Sequence, residues 1–313
     1  MIVLKFGGTS LESTEALQRV AEIVRDRLER RPVVVVSALG HATDNLLAMG
    51  SDAVAGHWQS AVQQFRKLQD YHSDIAAALA READRRVLAD WLDSHFDELH
   101  DLLESVSGSG TLSPEIQAAI ISFGERLSSG MVAICLRTFG LSTQHFDSRK
   151  LIRTSGPCTE SLPVLHETYA NIRHALSPVP TGTVPVLGGF IGSASNGVTT
   201  TLGRNSSNLT AVLVAAALDA EEVEMWTDVD GVYRHDPRLV GDQSPVEELS
   251  FEEALALASN GARVLHFGAV QLAQQKDVQL RIKNSRKPSA PGTRIGSNLV
   301  ASRPYESLTC SAD

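Results

Sequence analysis

Residues 199 to 238, TTTLGRNSSNLTAVLVAAALDAEEVEMWTDVDGVYRHDPR, hold the densest set of groups able to do chemistry. Gly203 and Arg204 sit in a polar, hydroxyl-rich turn. An apolar stretch follows, with Leu209, Val212, Leu213, Ala216 and Ala217 on one face at helical spacing. A turn that opens a helix collects free backbone N–H groups and the positive end of a helix dipole, which suits an anion. Next comes a strand, Val223 to Trp226, ending in Thr227 and Asp228. A strand end that carries polar side chains is where open α/β sheets place ligands. A second such place opens the chain, where Lys5 ends an apolar strand and Gly7 and Gly8 let backbone approach a phosphate closely. Arg204 offers a planar fork matched to a carboxylate, with a structural salt bridge as the alternative. Glu125, between Phe123 and Leu127 in a helical segment, can hold an ammonium if it faces a cleft; otherwise it belongs to a solvated helix face.

The elements that must position these groups follow from periodicity. Ile2 to Phe6 is a strand, Ser13 to Glu29 a helix with one buried side, and Val33 to Val36 a β-branched strand buried on both faces. Strand, turn, helix and strand make a right-handed βαβ unit. Residues 52 to about 104 show helical periodicity and no strand signal, and read as inserted helices of structural purpose, broken at Gly108-Ser109-Gly110. Pro114 begins the helix that carries Glu125 and Arg126, and Gly140 to Phe146 and Val184 to Phe190 restart the sheet. The Pro- and Gly-rich stretch from Ser177 to Gly189 divides an N-terminal lobe, residues 1–180, from a C-terminal lobe, residues 181–313.

Composition fits a soluble enzyme, at 313 residues and 42% hydrophobic content. No apolar run reads as long enough to cross a bilayer, and MIVLKFGG is a strand and a turn, not a signal peptide. Cys135, Cys158 and Cys310 are scattered and odd in number, so the expectation is reduced thiols in the cytoplasm. A formal net charge of −9 argues against nucleic acid as a main partner, and no membrane partner is expected.

Five blocks in order resemble the aspartokinase branch of the amino acid kinase family: KFGGTS (Lys5–Ser10), VVVVSALGHATDNLL (Val33–Leu47), FGERLSSGMVA (Phe123–Ala133), the 199–238 block, and GARVLH with RIKNSRKPSAPGTRI (Gly261–His266, Arg281–Ile295). The resemblance implies a three-layer α/β/α sandwich around a mainly parallel sheet, with the acceptor in the N-terminal lobe and ATP in the C-terminal lobe. It also implies ATP and Mg2+ as cofactors, a homodimer, and phosphorylation of the side-chain carboxylate of L-aspartate. Regulatory domains of the ACT type usually follow in this family; the chain ends where they would begin, so none is expected in it.

By the same resemblance, Lys5 and Arg263 are catalytic, Lys5 contacting the phosphoryl group in flight and Arg263 lying near the ATP phosphates. Ser37, Thr43, Glu125, Arg204, Ser207 and Asn208 hold the acceptor, Arg204 through its α-carboxylate. Lys5, Gly7, Gly8, Thr227, Asp228, Tyr233, Asp236, Arg238 and Arg263 surround ATP, Tyr233 near the base. His41 reads as a solvated loop residue and Pro237 as a turn former. No side chain is assigned to a metal, because Mg2+ commonly keeps water and phosphate ligands. A carboxylate acceptor is already deprotonated, so such a site needs cations and N–H donors rather than a general base.

Three positions depart from the family's GRGGSD turn, which here reads Gly203-Arg204-Asn205-Ser206-Ser207-Asn208. Asn205 tolerates left-handed geometry, Ser206 is harder to fit, and Asn208 keeps the shape of an aspartate without its charge. Arg263 stands where lysine is usual, and Phe267 where proline is common. Three readings follow: an aspartate kinase, a related kinase with another amino or related acid as acceptor, or a weakly active ligand-binding homologue.

Overall fold

Ile2, Leu4 and Phe6 point to one side of the first strand and Val3 to the other, and this alternation divides the interior into two cores. The structure is a computed structural model and describes residues 1–79, 81–233, 244–260, 264–297 and 299. Its first half runs β1 (Ile2–Phe6), α1 (Thr14–Arg25), β2 (Pro32–Val36), α2 (Ala42–Val54), α3 (Trp58–Leu79), α4 (Glu82–Ser109), α5 (Pro114–Thr138), β3 (Ser142–Phe146), α6 (Ser148–Leu151), β4 (Arg153–Ser155), β5 (Leu162–Pro163) and α7 (Leu165–Leu176). The second half runs β6 (Thr183–Gly188), β7 (Ile191–Ala194), β8 (Thr199–Thr201), α8 (Ser207–Ala217), β9 (Glu222–Thr227), β10 (Glu248–Leu249), α9 (Phe251–Ser259), α10 (Phe267–Lys276), β11 (Gln279–Asn284) and β12 (Thr293–Ile295).

Among the described residues, eight strands form one sheet in the order β10-β12-β11-β9-β1-β2-β6-β3. From β11 to β3 every pairing is parallel. Helices α1 to α5 pack on the face of Leu4, Val34 and Val186, and α7 to α10 on the face of Val3, Val35 and Val223. The result is the expected α/β/α sandwich with a mainly parallel sheet. β2 is buried at every residue, as its β-branched run requires. A small second sheet, β5-β4-β7-β8, lies beside the first. Pro180, at the expected lobe division, falls between α7 and β6, yet β6 pairs with β2, so residues on both sides of 180 share one sheet.

Four expectations change in detail. α1 is shorter than Ser13 to Glu29: the Ser13 hydroxyl caps it through Ala16 N–H at 3.2 Å, and Arg31 turns left-handed at φ 50° after a 3-10 turn, Leu28–Arg30. The inserted helices run past 104, with α4 continuing through Gly108 to Ser109 and ending at left-handed Gly110, φ +63°. α8 is not a one-sided helix, because it lies between the sheet, α7 and α10. Of the five residues placed on one face, Val212, Leu213 and Ala217 are buried, but Leu209 and Ala216 are less buried than Ala211, Val214 and Ala215, which lie off that face. Finally, α5 is long and apolar enough to cross a membrane, against the reading of no such run, but 94% of its apolar window is buried inside the protein. The inserted hairpin α3–α4 is fastened to α5 where Trp91 covers Gly130 and Arg126 pairs with both carboxylate oxygens of Glu98. Cys135 and Cys158 are free thiols, and Cys310 lies outside the described residues.

Candidate active site

The carboxyl ends of β1, β2, β6 and β9 meet at one edge of the sheet, and each gives way to a turn. Hydrogen bonds carry the parallel ladder slightly beyond the strands: Gly7 N–H to Trp226 O at 3.0 Å, Ser37 N–H to Phe6 O at 3.0 Å, and Gly189 N–H to Val36 O at 2.7 Å. The turns then diverge around a cleft of about 470 Å³. Its lining brings together Lys5, Gly7, Gly8, Ser37, Thr43, Glu125, Arg204, Ser207, Asn208 and Thr227, all of them sequence-predicted site residues.

Glycine is required where the first two turns touch. A β-carbon on Gly8 would lie 2.8 Å from both Ala38 O and Gly40 O, and Gly40 N–H donates to Gly8 O at 3.3 Å. Lys5, half-buried at the end of β1, curls back over this turn, so that a β-carbon on Gly7 would sit 3.6 Å from its Nζ. Burial lowers the Lys5 ammonium to a pKa of about 8, with the charge of Glu125 working in the opposite direction. Glu125 on α5 is 3% exposed. Its Oε1 accepts from Ala38 N–H at 3.1 Å, while Oε2 is buried and has no partner among the described residues. Burial raises this carboxyl to a pKa of about 8, offset in part by the Ala38 N–H and by Lys5. A carboxyl oxygen left unpaired beside a cleft can accept from a cationic donor, whose charge draws the carboxyl toward its ionised form.

The opposite wall is the turn into α8. Asn205 takes the left-handed conformation, φ 62°, and Ser206 an ordinary one, φ −78° and ψ 3°. The difficulty expected at Ser206 is therefore absent, since the strained position falls on Asn205, the residue type that tolerates it. Ser207 and Asn208 form the first turn of α8 and line the cleft with the helix N-terminus. Gly189 lets this turn approach β6, for a β-carbon there would meet Ser207 Cβ at 2.5 Å. Free N–H groups at a helix start, a glycine turn and a buried ammonium together fit a phosphate chain. Arg204, at the mouth, is ion-paired with Asp44 in the first turn of α2.

On the nucleotide side, Thr227 lines the cleft and its hydroxyl donates to Asp228 Oδ1 at 3.1 Å. Asp228 and half-buried Tyr233 do not line it. Val232, the neighbour of Tyr233, is tied down by its N–H to Thr293 Oγ1 at 2.8 Å. Asp236, Pro237, Arg238 and Arg263 lie outside the described residues. His41 is exposed at the cleft mouth, and Phe267 is 45% exposed. Among the described residues, the one cluster with metal-ligand spacing, His100, Asp101 and Glu104 on α4, does not line the cleft.

Among the lining residues that the sequence reading did not assign to the site, two stand out. Asp44 occupies the first turn of a helix that follows a ligand loop, a place where a carboxylate also favours the helix dipole, and its role appears only with Arg204 beside it. Phe190 is buried with φ +63°, an uncommon conformation for a bulky residue, and its N–H donates to Thr210 Oγ1 at 3.0 Å. The pair Gly188-Gly189 before it marks close backbone approach, but nothing in its type announces that φ.

Over residues 1–284 the chain matches the amino acid kinase family. It is 34% identical over 298 residues to aspartokinase 1, chloroplastic, of Arabidopsis thaliana, covering 94% of this chain and 51% of that protein. Lysine-sensitive aspartokinase 3 of Escherichia coli K12 is 32% identical over 295 residues, covering 94% and 64%. The crystal structure of E. coli aspartokinase III with aspartate and ADP aligns with a TM-score of 0.86 at 30% identity, over 95% of this chain and 64% of that one. The chain thus spans between half and two thirds of the length of these relatives. UMP kinase from Ureaplasma parvum, with a TM-score of 0.50 at 15% identity, shares the fold alone. A match over residues 1–284, together with a parallel sheet whose strand ends gather Lys5, Glu125 and the start of α8, makes this chain a member of the amino acid kinase family.

Proposed function

We propose that this chain transfers the γ-phosphoryl group of ATP to the side-chain carboxylate of L-aspartate, giving 4-phospho-L-aspartate. The carrying observation is that Lys5, Arg204 and the N-terminus of α8 line one cleft with Glu125, bringing cations and N–H donors together with a carboxyl that can take an ammonium. The relatives named aspartokinases, one of them crystallised with aspartate and ADP, support the same substrates. The free Oε2 of Glu125 takes the acceptor ammonium. Arg204 exchanges Asp44 for the α-carboxylate. Ser37, Thr43, Ser207 and Asn208 complete the acceptor pocket. Lys5 and the close backbone approach that the Gly7-Gly8 turn allows hold the phosphoryl group as charge moves onto the bridging oxygen. Thr227, Asp228 and Tyr233 bound the nucleotide, with Asp236, Arg238 and Arg263 following in sequence. Mg2+, when bound with ATP, shields phosphate charge and draws its ligands from phosphate oxygens and water.

On this reading, residues 1–180 supply Ser37, Thr43 and Glu125 to the acceptor side, and residues 181–313 supply Thr227, Asp228 and Tyr233 to the nucleotide side, the two meeting at Arg204 and α8. A second reading, with another amino or related acid as acceptor, rests on Asn208, a neutral side chain on the cleft wall. A cytoplasmic homodimer completes the proposal by resemblance, and sedimentation equilibrium showing only monomer removes the dimer. The function is tested by coupled ATP turnover against a panel of amino and hydroxy acids. Aspartate is expected to give the highest kcat/KM, and Lys5→Ala to raise the barrier by about 2.7–4 kcal/mol, as for other preorganised electrostatic groups. Wild-type turnover in folded Lys5→Ala removes Lys5 from the mechanism.

A further inference from the structure

Three segments distant in sequence meet at the end of β9. Gly7 N–H donates to Trp226 O, and the buried hydroxyls of Ser10 and Ser285 lie 2.9 Å apart. Ser285 donates twice to Thr227 O, through its N–H at 2.9 Å and its hydroxyl at 3.2 Å. Ser285 gives its hydroxyl hydrogen to Thr227, so Ser10 is the donor to Ser285, with Trp226 O a longer second acceptor for Ser10 at 3.5 Å. The neighbours of Ser285 hold the same segment. Asn284 Nδ2 donates to Asp228 O at 3.3 Å and to Asp230 Oδ1 at 2.5 Å, and Lys287 Nζ pairs with Asp230 Oδ2 at 2.7 Å. Ser10 and Ser285 do not line the cleft, whereas Gly7, Gly8 and Thr227 do.

We propose that Ser10 and Ser285 are a positioning pair that fixes the Gly7-Gly8 turn against Thr227 and so sets the spacing across which the phosphoryl group moves. The role rests on the phosphotransferase reading above. A Gly-Gly turn has little stiffness of its own, so its placement comes from its contacts: the Ala38–Gly40 turn against Gly8, the Gly7 bond to Trp226 O, and the hydroxyl pair that follows it. An apolar pair would fill the same space without fixing a distance or a direction. Two buried hydroxyls ending on a carbonyl of β9 fix both. Misplacing a reacting group costs rate more than affinity, because ATP and the acceptor keep their own contacts.

The test compares wild type, Ser10→Ala, Ser285→Ala and the double variant by kcat, by KM for each substrate and by melting temperature. Each single variant is expected to lose kcat on the order of 10- to 100-fold with both KM values within about threefold of wild type, and the double to be about as slow as the slower single. Where an alanine variant does not fold, Ser→Cys at that position, close in size and a poor donor, gives the same comparison. Wild-type kcat in either folded single variant, losses that multiply in the double, or changes confined to KM overturn the role. A wild-type protein that turns over no acceptor overturns the phosphotransferase reading and this role with it, whereas an active wild type with unaffected variants overturns the role alone.

Discussion

Arg204, in the turn before α8, is ion-paired with Asp44, in the first turn of α2, across the mouth of the cleft. Both side chains are largely exposed, at 72% and 61%, so the pair is weakly held and its guanidinium is available to another carboxylate. Arg204→Ala is expected to weaken acceptor binding far more than ATP binding. Asp44→Asn should strengthen acceptor binding by up to about 1 kcal/mol, the scale of an exposed pair that no longer competes. Calorimetric titration of each ligand separately checks both. Collapse of ATP affinity in Arg204→Ala, with acceptor affinity intact, reverses the assignment of the two sides.

Lys5 and Glu125 are both displaced toward a pKa of about 8 by burial, from opposite directions. Between pH 4.5 and about 8 the folded protein keeps a proton on Glu125 that the unfolded chain has lost, so stability falls as pH rises through that window. From about 8 to 10.5 the unfolded chain holds a proton on Lys5 that the folded protein has released, and stability rises. Glu125→Gln should therefore gain on wild type in urea midpoint as pH is raised from about 5 to 8. Parallel midpoint curves for the two proteins across that range exclude a protonated Glu125.

Asn208 tests the identity of the acceptor. In an aspartate kinase that tolerates the lost charge, Asn208→Asp keeps or raises activity on aspartate. In an enzyme adapted to another acceptor, the same change lowers activity on that acceptor and shifts preference toward aspartate, because the restored charge favours a nearby ammonium. The ratio of kcat/KM values across the panel is the measurement. An unchanged ratio returns Asn208 to a role in shape alone.

Gly189 separates β6 from the start of α8. Gly189→Ala is expected to destabilise the protein by about 1–3 kcal/mol, since the new methyl has only backbone and Ser207 to displace. It should also lower kcat by moving the α8 N-terminus. Gly108→Ala, inside α4 with nothing within 4 Å, is the control, expected neutral or stabilising by up to about 1 kcal/mol. Chemical denaturation of both variants decides it, and a tolerated Gly189→Ala shows that the contact is loose.

Much of the fold was legible because its signals are local. The β-branched run Val33–Val36 could only be a strand buried on both faces, and Pro114 after Ser113 could only open a helix. The five blocks likewise carried most of the cleft lining, from Lys5 to Thr227, because most of them sit at strand ends or helix starts, which chain direction sends to one edge of a parallel sheet, while Phe123–Ala133 reaches it from the middle of α5. What composition and spacing could not carry were relations between segments. The all-round burial of α8 depends on α7 and α10 lying on either side of it. The strain at Phe190, the partner of Arg204 and the bond between Ser10 and Ser285 join residues far apart in the chain or answer to neighbours brought by folding. Residue type and local periodicity thus determined which elements form, and the resemblance of the five blocks named most of the side chains that line the cleft. The burial of Glu125, the orphaned oxygen it leaves and the distances between its walls were decided by tertiary packing, because desolvation and hydrogen-bond pairing are properties of an assembled interior.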